Sequence, residues 1–354
     1  MVQNATVHTA IVLQGGGALG AYEYGVLKAL YKLRPGFTPV AVSGISIGAV
    51  TAAILAGAKD GDVLSTLDRL WRQELTVSPP VWVPPMVDRS WSVLGNPGMY
   101  GPQPELFTAP FAATSLYDTA PLRQTLRELI DPVRLNSGAP QVYVGATRVD
   151  TGELTVFGSG NGEGLTLEHI MASCSLPPSF PMTTIGNASY WDGALFSNTP
   201  LSPAINALEA AADRDPDAIR ELIVVELFPS KAPIPTTLAE VVQRVIHLQY
   251  TSRLNLDASF FQKIDAVVDL VDKIRHELPA DSEILRDPAL VEMQNHRKIN
   301  HFNVVTSGLP PELSNAADFS RASVARRIEA GYEDAIAQGI GSADSPGLRA
   351  GTRQ

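Results

Sequence analysis

The chain holds a single cysteine, Cys174, among 354 residues. One thiol excludes an internal disulfide and any metal site built from several cysteines. Charge is also scarce, at 18% of residues, and positive charge is in the minority: 27 Lys and Arg against 37 Asp and Glu, a formal net charge of −10. That balance argues against a nucleic-acid backbone as partner and against a polybasic membrane anchor. No window approaches the ~20 consecutive apolar residues of a membrane-spanning helix. Met1 to Thr9 carries neither a basic stretch nor a long apolar one, so no signal peptide is read there. The expected location is cytoplasmic, with room for a peripheral role at a lipid surface. No group of acidic residues or histidines has metal-ligand spacing, so neither metal nor cofactor is expected. No internal repeat is visible.

Apolar residues make up 45% of the chain, and its length suits one large domain or two small ones. Short apolar runs predict strands at Thr9–Gln14, Gln141–Thr147, Leu154–Phe157, Glu221–Leu227 and Lys298–Val305. The second and third of these flank a turn and read as a hairpin. Helical spacing predicts Ala21–Leu33, Ala49–Ala58, Asp60–Leu75, Asp118–Leu129, Leu167–Cys174 and Pro200–Ala212. One or two long helices are expected within Thr236–Leu278. A last one follows Ser320 to about Gln338, with Arg321, Arg326 and Arg327 on its solvent side. Strands alternating with helices predict an α/β fold, a mostly parallel central sheet with helices on both faces. The expected organisation is one domain over residues 5–340, with 234–340 a mainly helical C-terminal extension and 341–354 a disordered tail. Residues 77–113 mix prolines with aromatics, which prevents regular structure and argues against disorder. They read as an insertion that covers the active site or touches a lipid interface, or else as an inert loop packed over the core.

Three motifs carry chemistry. Gly44-Ile-Ser-Ile-Gly48 lies between a short apolar run and a helical segment of small residues. A sharp strand-to-helix turn there would raise the Ser46 hydroxyl as a nucleophile, with Gly44 and Gly48 permitting the close approach. Gly15-Gly-Gly-Ala-Leu-Gly20 lies between the first strand and the first helix. It satisfies a dinucleotide fingerprint at Gly15, Gly17 and Gly20, but the acidic residue due about 20 positions later is missing. The competing reading is an oxyanion hole made of glycine N–H groups beside a helix N-terminus. Asp192-Gly193-Ala194 ends an aromatic run and offers a carboxylate that could take the serine proton. A Ser-His-Asp triad is the alternative. Of the six histidines (His8, His169, His247, His276, His296 and His301), none of the last four lies on a glycine-rich loop just past a strand.

In this order the three motifs resemble the patatin-like phospholipase family. Gly20-Ala-Tyr-Glu-Tyr-Gly-Val-Leu27 and Ala172-Ser-Cys-Ser-Leu-Pro-Pro-Ser-Phe180 are similar to it as well, so the resemblance covers roughly residues 9–200. The remainder looks like the C-terminal half of a bacterial subgroup. The resemblance implies a three-layer architecture and a Ser-Asp dyad. In it Ser46 is the nucleophile, Asp192 the general base, and Gly15, Gly16 and Gly17 the oxyanion hole. Gly20, Gly44, Gly48 and Gly193 support the turns. No cofactor is implied. The implied activity is lipid acyl hydrolysis of the phospholipase A, lysophospholipase or esterase type, on a lipid or other hydrophobic ester at a membrane or lipid interface. A stored polyester as substrate, and a non-catalytic lipid- or dinucleotide-binding protein, remain as alternatives. In one respect the chain departs from the family. Many members carry a basic residue in the glycine loop where this chain has Leu19.

Overall fold

The short apolar runs assemble side by side into one sheet. In the computed structural model, residues 6–78, 92–160, 162–212, 215, 217–251, 254–279, 281–293 and 296–340 are described. The strands are β1 (Val7–Leu13), β2 (Ala41–Ile45), β3 (Gly101–Pro102), β4 (Tyr117–Asp118), β5 (Gln141–Arg148), β6 (Leu154–Gly158), β7 (Thr183–Ile185), β8 (Ala188–Asp192), β9 (Ile219–Glu226) and β10 (His301–Thr306). The α-helices are α1 (Gly20–Leu33), α2 (Ile47–Gly57), α3 (Val63–Arg69), α4 (Glu105–Thr108), α5 (Ala120–Leu129), α6 (Pro132–Leu135), α7 (Leu167–Ser173), α8 (Leu201–Ala212), α9 (Leu238–Tyr250), α10 (Leu254–Glu277), α11 (Pro288–Met293) and α12 (Arg321–Ala337).

Among the described residues, eight strands form the main sheet in the order β10-β9-β1-β2-β5-β8-β7, with β6 also on β5. From β10 to β5 every pairing is parallel. The β5–β6, β5–β8 and β7–β8 pairings are antiparallel. Alternation along each strand divides the core in two. Ile11, Leu13 and Val42 pack with α1 and α2 on one face, while Ala10, Val12 and Ala41 pack with α8 on the other. Helices on both faces bury both sides of β1 and β9, so these strands read as unbroken apolar runs. The α/β fold and the three layers are those expected.

Several details differ from the expectations. The helix expected over Asp60–Leu75 is α3 followed by a π-turn at Leu70–Glu74, where Leu75 N–H reaches Leu70 O at 2.8 Å. The stretch 236–278 is two helices, α9 and α10. Residues 234–340 also supply a sheet strand, β10, and a helix that packs on α1. That last packing is backbone to backbone. A Cβ on Gly25 would lie 2.1 Å from Ile328 O, and one on Gly331 would lie 2.1 Å from Tyr22 O. Arg321 and Arg326 of α12 are exposed as expected, but Arg327 is fully buried. Its guanidinium reaches the chain that enters the helix, where backbone carbonyls replace water as its acceptors. Within 77–113, residues 79–91 lie outside the described residues. The rest forms β3, which pairs with β4, and the short α4. The expected tail, 341–354, also lies outside them.

Candidate active site

β2 ends at Ile45 and α2 begins at Ile47, so the turn between them is a single residue, Ser46. Ser46 has φ 55° and ψ −124°, and among the described residues it is the one non-glycine with positive φ. Such a conformation costs on the order of 1–3 kcal/mol and persists only where the surroundings enforce it. Here they do. Ser46 N–H donates to Ser173 Oγ at 2.9 Å, and that hydroxyl donates to Gly145 O at 2.7 Å. Ser46 O accepts from the N–H groups of Ala49 and Val50 and from Cys174 Sγ. Gly44 and Gly48 make room: a Cβ on Gly44 would stand 2.3 Å from Gly48 O, and one on Gly48 would stand 2.5 Å from Leu13 O.

The register of β5 brings Asp192 to the serine. β2 pairs with β5 as far as Ile45 opposite Gly145. β6 occupies the other edge of β5 over Tyr143–Thr147. β8 therefore takes the β2 edge, starting with Asp192 opposite Ala146. Ile45 and Asp192 are neighbours along one edge, and the next residue after Ile45 is Ser46. Gly193 makes the following turn possible, since a Cβ there would lie 2.5 Å from Gly145 O.

Asp192 is buried, at 1% exposure. Its backbone is fixed by Thr147 Oγ1, which donates to Asp192 O at 3.0 Å, and by Asp192 N–H, which donates to Ser175 O at 2.9 Å. Oδ1 accepts the Ala194 N–H at 2.9 Å. Oδ2 has no hydrogen-bond partner of ordinary geometry. Burial pushes the carboxyl pKa up to about 7, while the facing Ser46 hydroxyl and the Ala194 N–H pull it partly back. Oδ2 is thus buried and unpaired, and the Ser46 hydroxyl is among the groups that act on the carboxyl.

The glycine loop meets the same point from the end of β1, and its N–H groups are not equivalent. Gly15 N–H donates to Asn198 Oδ1 at 2.9 Å, so it is not free for a ligand, contrary to expectation. Asn198 Nδ2 donates in turn to Gly15 O at 3.0 Å and to Tyr250 O at 3.3 Å. Ala18 N–H donates to Ala316 O at 2.8 Å. Between these two anchors, the N–H groups of Gly16 and Gly17 are left without a protein acceptor among the described residues. Gly17 has φ +53°, and a Cβ there would meet Ala316 O at 2.6 Å, so only glycine fits. Gly20 opens α1, where a Cβ would strike Ile47 and Trp71 at 2.8 Å. Leu19 is buried below the loop.

Gly15, Gly16, Gly17, Ser46 and Asp192 all line one cleft of about 330 Å³. Its wall is apolar. Tyr100, Tyr117 and Phe180 form an aromatic cluster with ring centroids 4.8 to 6.4 Å apart. Phe228, Tyr250 and Phe319 complete much of the rest. Among the described lining residues Asp192 is the one charged group, and no histidine is present. His247 pairs with Ser314 O, His296 with Glu209, and His276 with Asp272 O of its own helix. A groove of about 360 Å³ behind Leu19 holds neither Ser46 nor Asp192. Among the described residues no cluster of His, Cys, Asp or Glu could hold a metal ion, and no helix is long and apolar enough to cross a membrane.

Asn198 and the Ala316 segment escaped the reading of the sequence. Asn198 lies six residues past Asp192 in a stretch of turn-forming residues, and only the hydrogen-bonding demand of an unpaired Gly15 N–H could have pointed to it.

No curated protein matches the chain. Among solved structures, VipD from Legionella pneumophila is 16% identical, over 94% of this chain and 66% of that one, with a TM-score of 0.42. The chain thus spans less than two thirds of the VipD chain. Full-length ExoU, in complex with full-length SpcU from the type III secretion system of Pseudomonas aeruginosa, is 15% identical over 89% and 71% of the two chains, with a TM-score of 0.30. A family model described as patatin phospholipase matches residues 248–338. A second, described as patatin-like phospholipase, matches residues 11–205 and so takes in the glycine loop, the Ser46 turn, Asp192 and Asn198. That match runs over more than half of the chain, which therefore belongs to the patatin-like phospholipase family.

Proposed function

We propose that the cleft hydrolyses carboxylic esters of long-chain, hydrophobic acids by two-step acyl transfer on Ser46. The family acts on lipids and other esters through a serine and an aspartate. The observation that carries the assignment to these two residues is the shared edge of β5, with Ile45 opposite Gly145 and Asp192 opposite Ala146. In the first step Ser46 Oγ attacks the ester carbonyl and its proton passes to Asp192 Oδ2. The developing oxyanion accepts from the free N–H groups of Gly16 and Gly17. Asp192 returns the proton to the departing alcohol. In the second step Asp192 takes a proton from water as its oxygen attacks the acyl-enzyme, and Asp192 then returns that proton to Ser46 Oγ as the C–Oγ bond breaks and the acid leaves. An ordinary aspartate, with a pKa of about 4, would be a poor base for an alcohol at neutral pH. Burial brings Asp192 to about 7, close to the optimum for moving a proton in either direction.

The apolar, aromatic wall suits an acyl chain. Val93, Leu116 and Ile246 line the cleft and are also 40–60% exposed, which suits delivery of the substrate from a lipid surface. The same walls would accept a segment of a hydrophobic polyester, whose scissile bond is identical. A histidine-dependent triad is disfavoured by the histidine-free lining.

The test is hydrolysis of a p-nitrophenyl ester series from butyrate to laurate, with labelling by a fluorophosphonate. Rates should rise with chain length. Ser46→Ala should lose both turnover, by about 10³-fold or more, and the label. A Ser46→Ala enzyme that kept its rate would end this reading. Asn198→Ala carries a smaller expectation. It leaves Gly15 N–H buried without an acceptor, which costs about 1–3 kcal/mol. With the loop loosened, kcat should fall by about 10-fold at near-constant KM, as measured on the same esters.

A further inference from the structure

The C-terminal helix lies in the matched stretch of residues 248–338, far in sequence from the glycine loop, yet its one buried arginine reaches that loop beside the reacting atoms. Arg327 is 0% exposed. Its Nε donates to Leu313 O at 2.8 Å, Nη1 to Asp318 O at 2.5 Å and Nη2 to Asn315 O at 2.8 Å. Nη1 also lies 3.5 Å from Ala18 O, in the turn that follows the glycines. Asp318 Oδ2 stands 3.9 Å from Nη2 and supplies a counter-charge. A guanidinium has several donors in a rigid planar fork and no acceptor, so it sets the positions of the carbonyls around it as a unit.

Those carbonyls belong to the segment 313–318, and the residue in its middle is Ala316. Ala316 O accepts the Ala18 N–H and crowds the Gly17 Cα from the side where a Cβ would be. Ala316, Ala317 and Phe319 form part of the cleft wall beside Gly16 and Gly17. The path from arginine to active site is therefore short: guanidinium, segment 313–318, Ala316 O, and the turn that aims the Gly17 N–H.

We propose that Arg327 is a positioning residue for the glycine loop. It holds Ala316 O, and through it the backbone of Gly17 and Ala18, so that the free N–H groups converge on the ester oxygen. This rests on the reading of those N–H groups as the oxyanion site. Only the fork does this. A lysine at 327 keeps the charge but cannot reach three divergent carbonyls at once.

The experiment uses the full chain and two readouts. In Arg327→Gln, with folding verified by circular dichroism, kcat on p-nitrophenyl butyrate should fall by about 10- to 100-fold with KM within 3-fold. Binding of a trifluoromethyl ketone, which mimics the oxyanion, should weaken in parallel. Arg327→Lys should recover less than a tenth of the lost rate. Hydrogen exchange read by mass spectrometry should quicken in peptides covering 15–20 and 313–319, and not in those covering β5. Should Arg327→Gln fail to fold, Arg327→Lys carries both readouts. Unchanged kcat, full recovery by lysine, or unchanged exchange in both segments would overturn the proposal. If the wild-type chain cleaves no ester, the hydrolase reading fails, and exchange at 15–20 still decides whether Arg327 holds the loop.

Discussion

Asp192→Asn should lower turnover by about 10³-fold while making the folded protein more stable above pH 7. The two effects share one cause. An amide oxygen can still accept the Ala194 N–H that Asp192 Oδ1 accepts now, so the turn at Gly193 survives. The Oδ2 position, which has no hydrogen-bond partner, loses its capacity to take a proton. Stability moves the other way because the carboxyl pKa is raised on folding, to about 7 from 3.8. A raised carboxyl binds more protons folded than unfolded between those values. Its protonated form is accommodated at low pH, and the native state loses stability as pH climbs from about 4 to 7. Above pH 7 the buried charge costs roughly 4 kcal/mol, as an upper value. Asparagine carries no charge there, and its unpaired amide N–H costs about 1–3 kcal/mol, less than the charge it replaces. The wild-type rate should rise with pH through about 7, as Asp192 ionises, and that limb should vanish in the residual activity of the variant. Rate against pH and unfolding midpoint at pH 8 check both halves. A variant that kept its rate, or one that was less stable at pH 8, would contradict this account.

Gly44→Ala should be the most damaging single methyl at the Ser46 turn. The added carbon would lie 2.3 Å from Gly48 O and 2.4 Å from Gly48 C. Both atoms are backbone, so no side chain can swing aside. The start of α2 would have to move away from the end of β2, and the elbow would open. The expected loss is about 3–5 kcal/mol of stability, with the folded fraction also inactive. Gly101→Ala is the matched control. Nothing lies within 4 Å of a Cβ there and φ is not positive, so stability should change by less than about 1 kcal/mol. Thermal unfolding of the two variants side by side gives the comparison.

The features that were legible in the sequence are those fixed by a local pattern. Ser46 could be found because a strained turn between a strand and a helix needs glycine on both sides, and those glycines sit at fixed spacing. Buried parallel strands such as β1 and β9 were visible because both their faces are covered. The rest depends on contacts distant in sequence. Arg327 sits at a helical position that looks solvent-facing, and only the chain folded back over it explains its burial. Glu23 is a second case of burial with no local signal: it lies in the core beside Thr51, where burial pushes its carboxyl well up. β7 has three residues and no pattern of its own, and it exists because β8 offers it an edge. Gly15 looked equivalent to Gly16 and Gly17 because backbone conformation can be guessed from glycine, whereas the partner of an N–H cannot.

The packing of α12 on α1 sets a schedule for synthesis. β1, the glycine loop and α1 leave the ribosome first, while β1's second neighbour, β9, begins at Ile219. Arg327 follows Ala18 by 309 residues. At ~5–20 residues per second, that interval is on the order of half a minute. Ser46 is made early in that interval and Asp192 past its midpoint, and both then stand beside a glycine loop that lacks its far wall. Contacts of such long range also close slowly, because their loop entropy is spent before they form. In this design the site matures late, because the glycine loop gains its far wall only after α12 has been made.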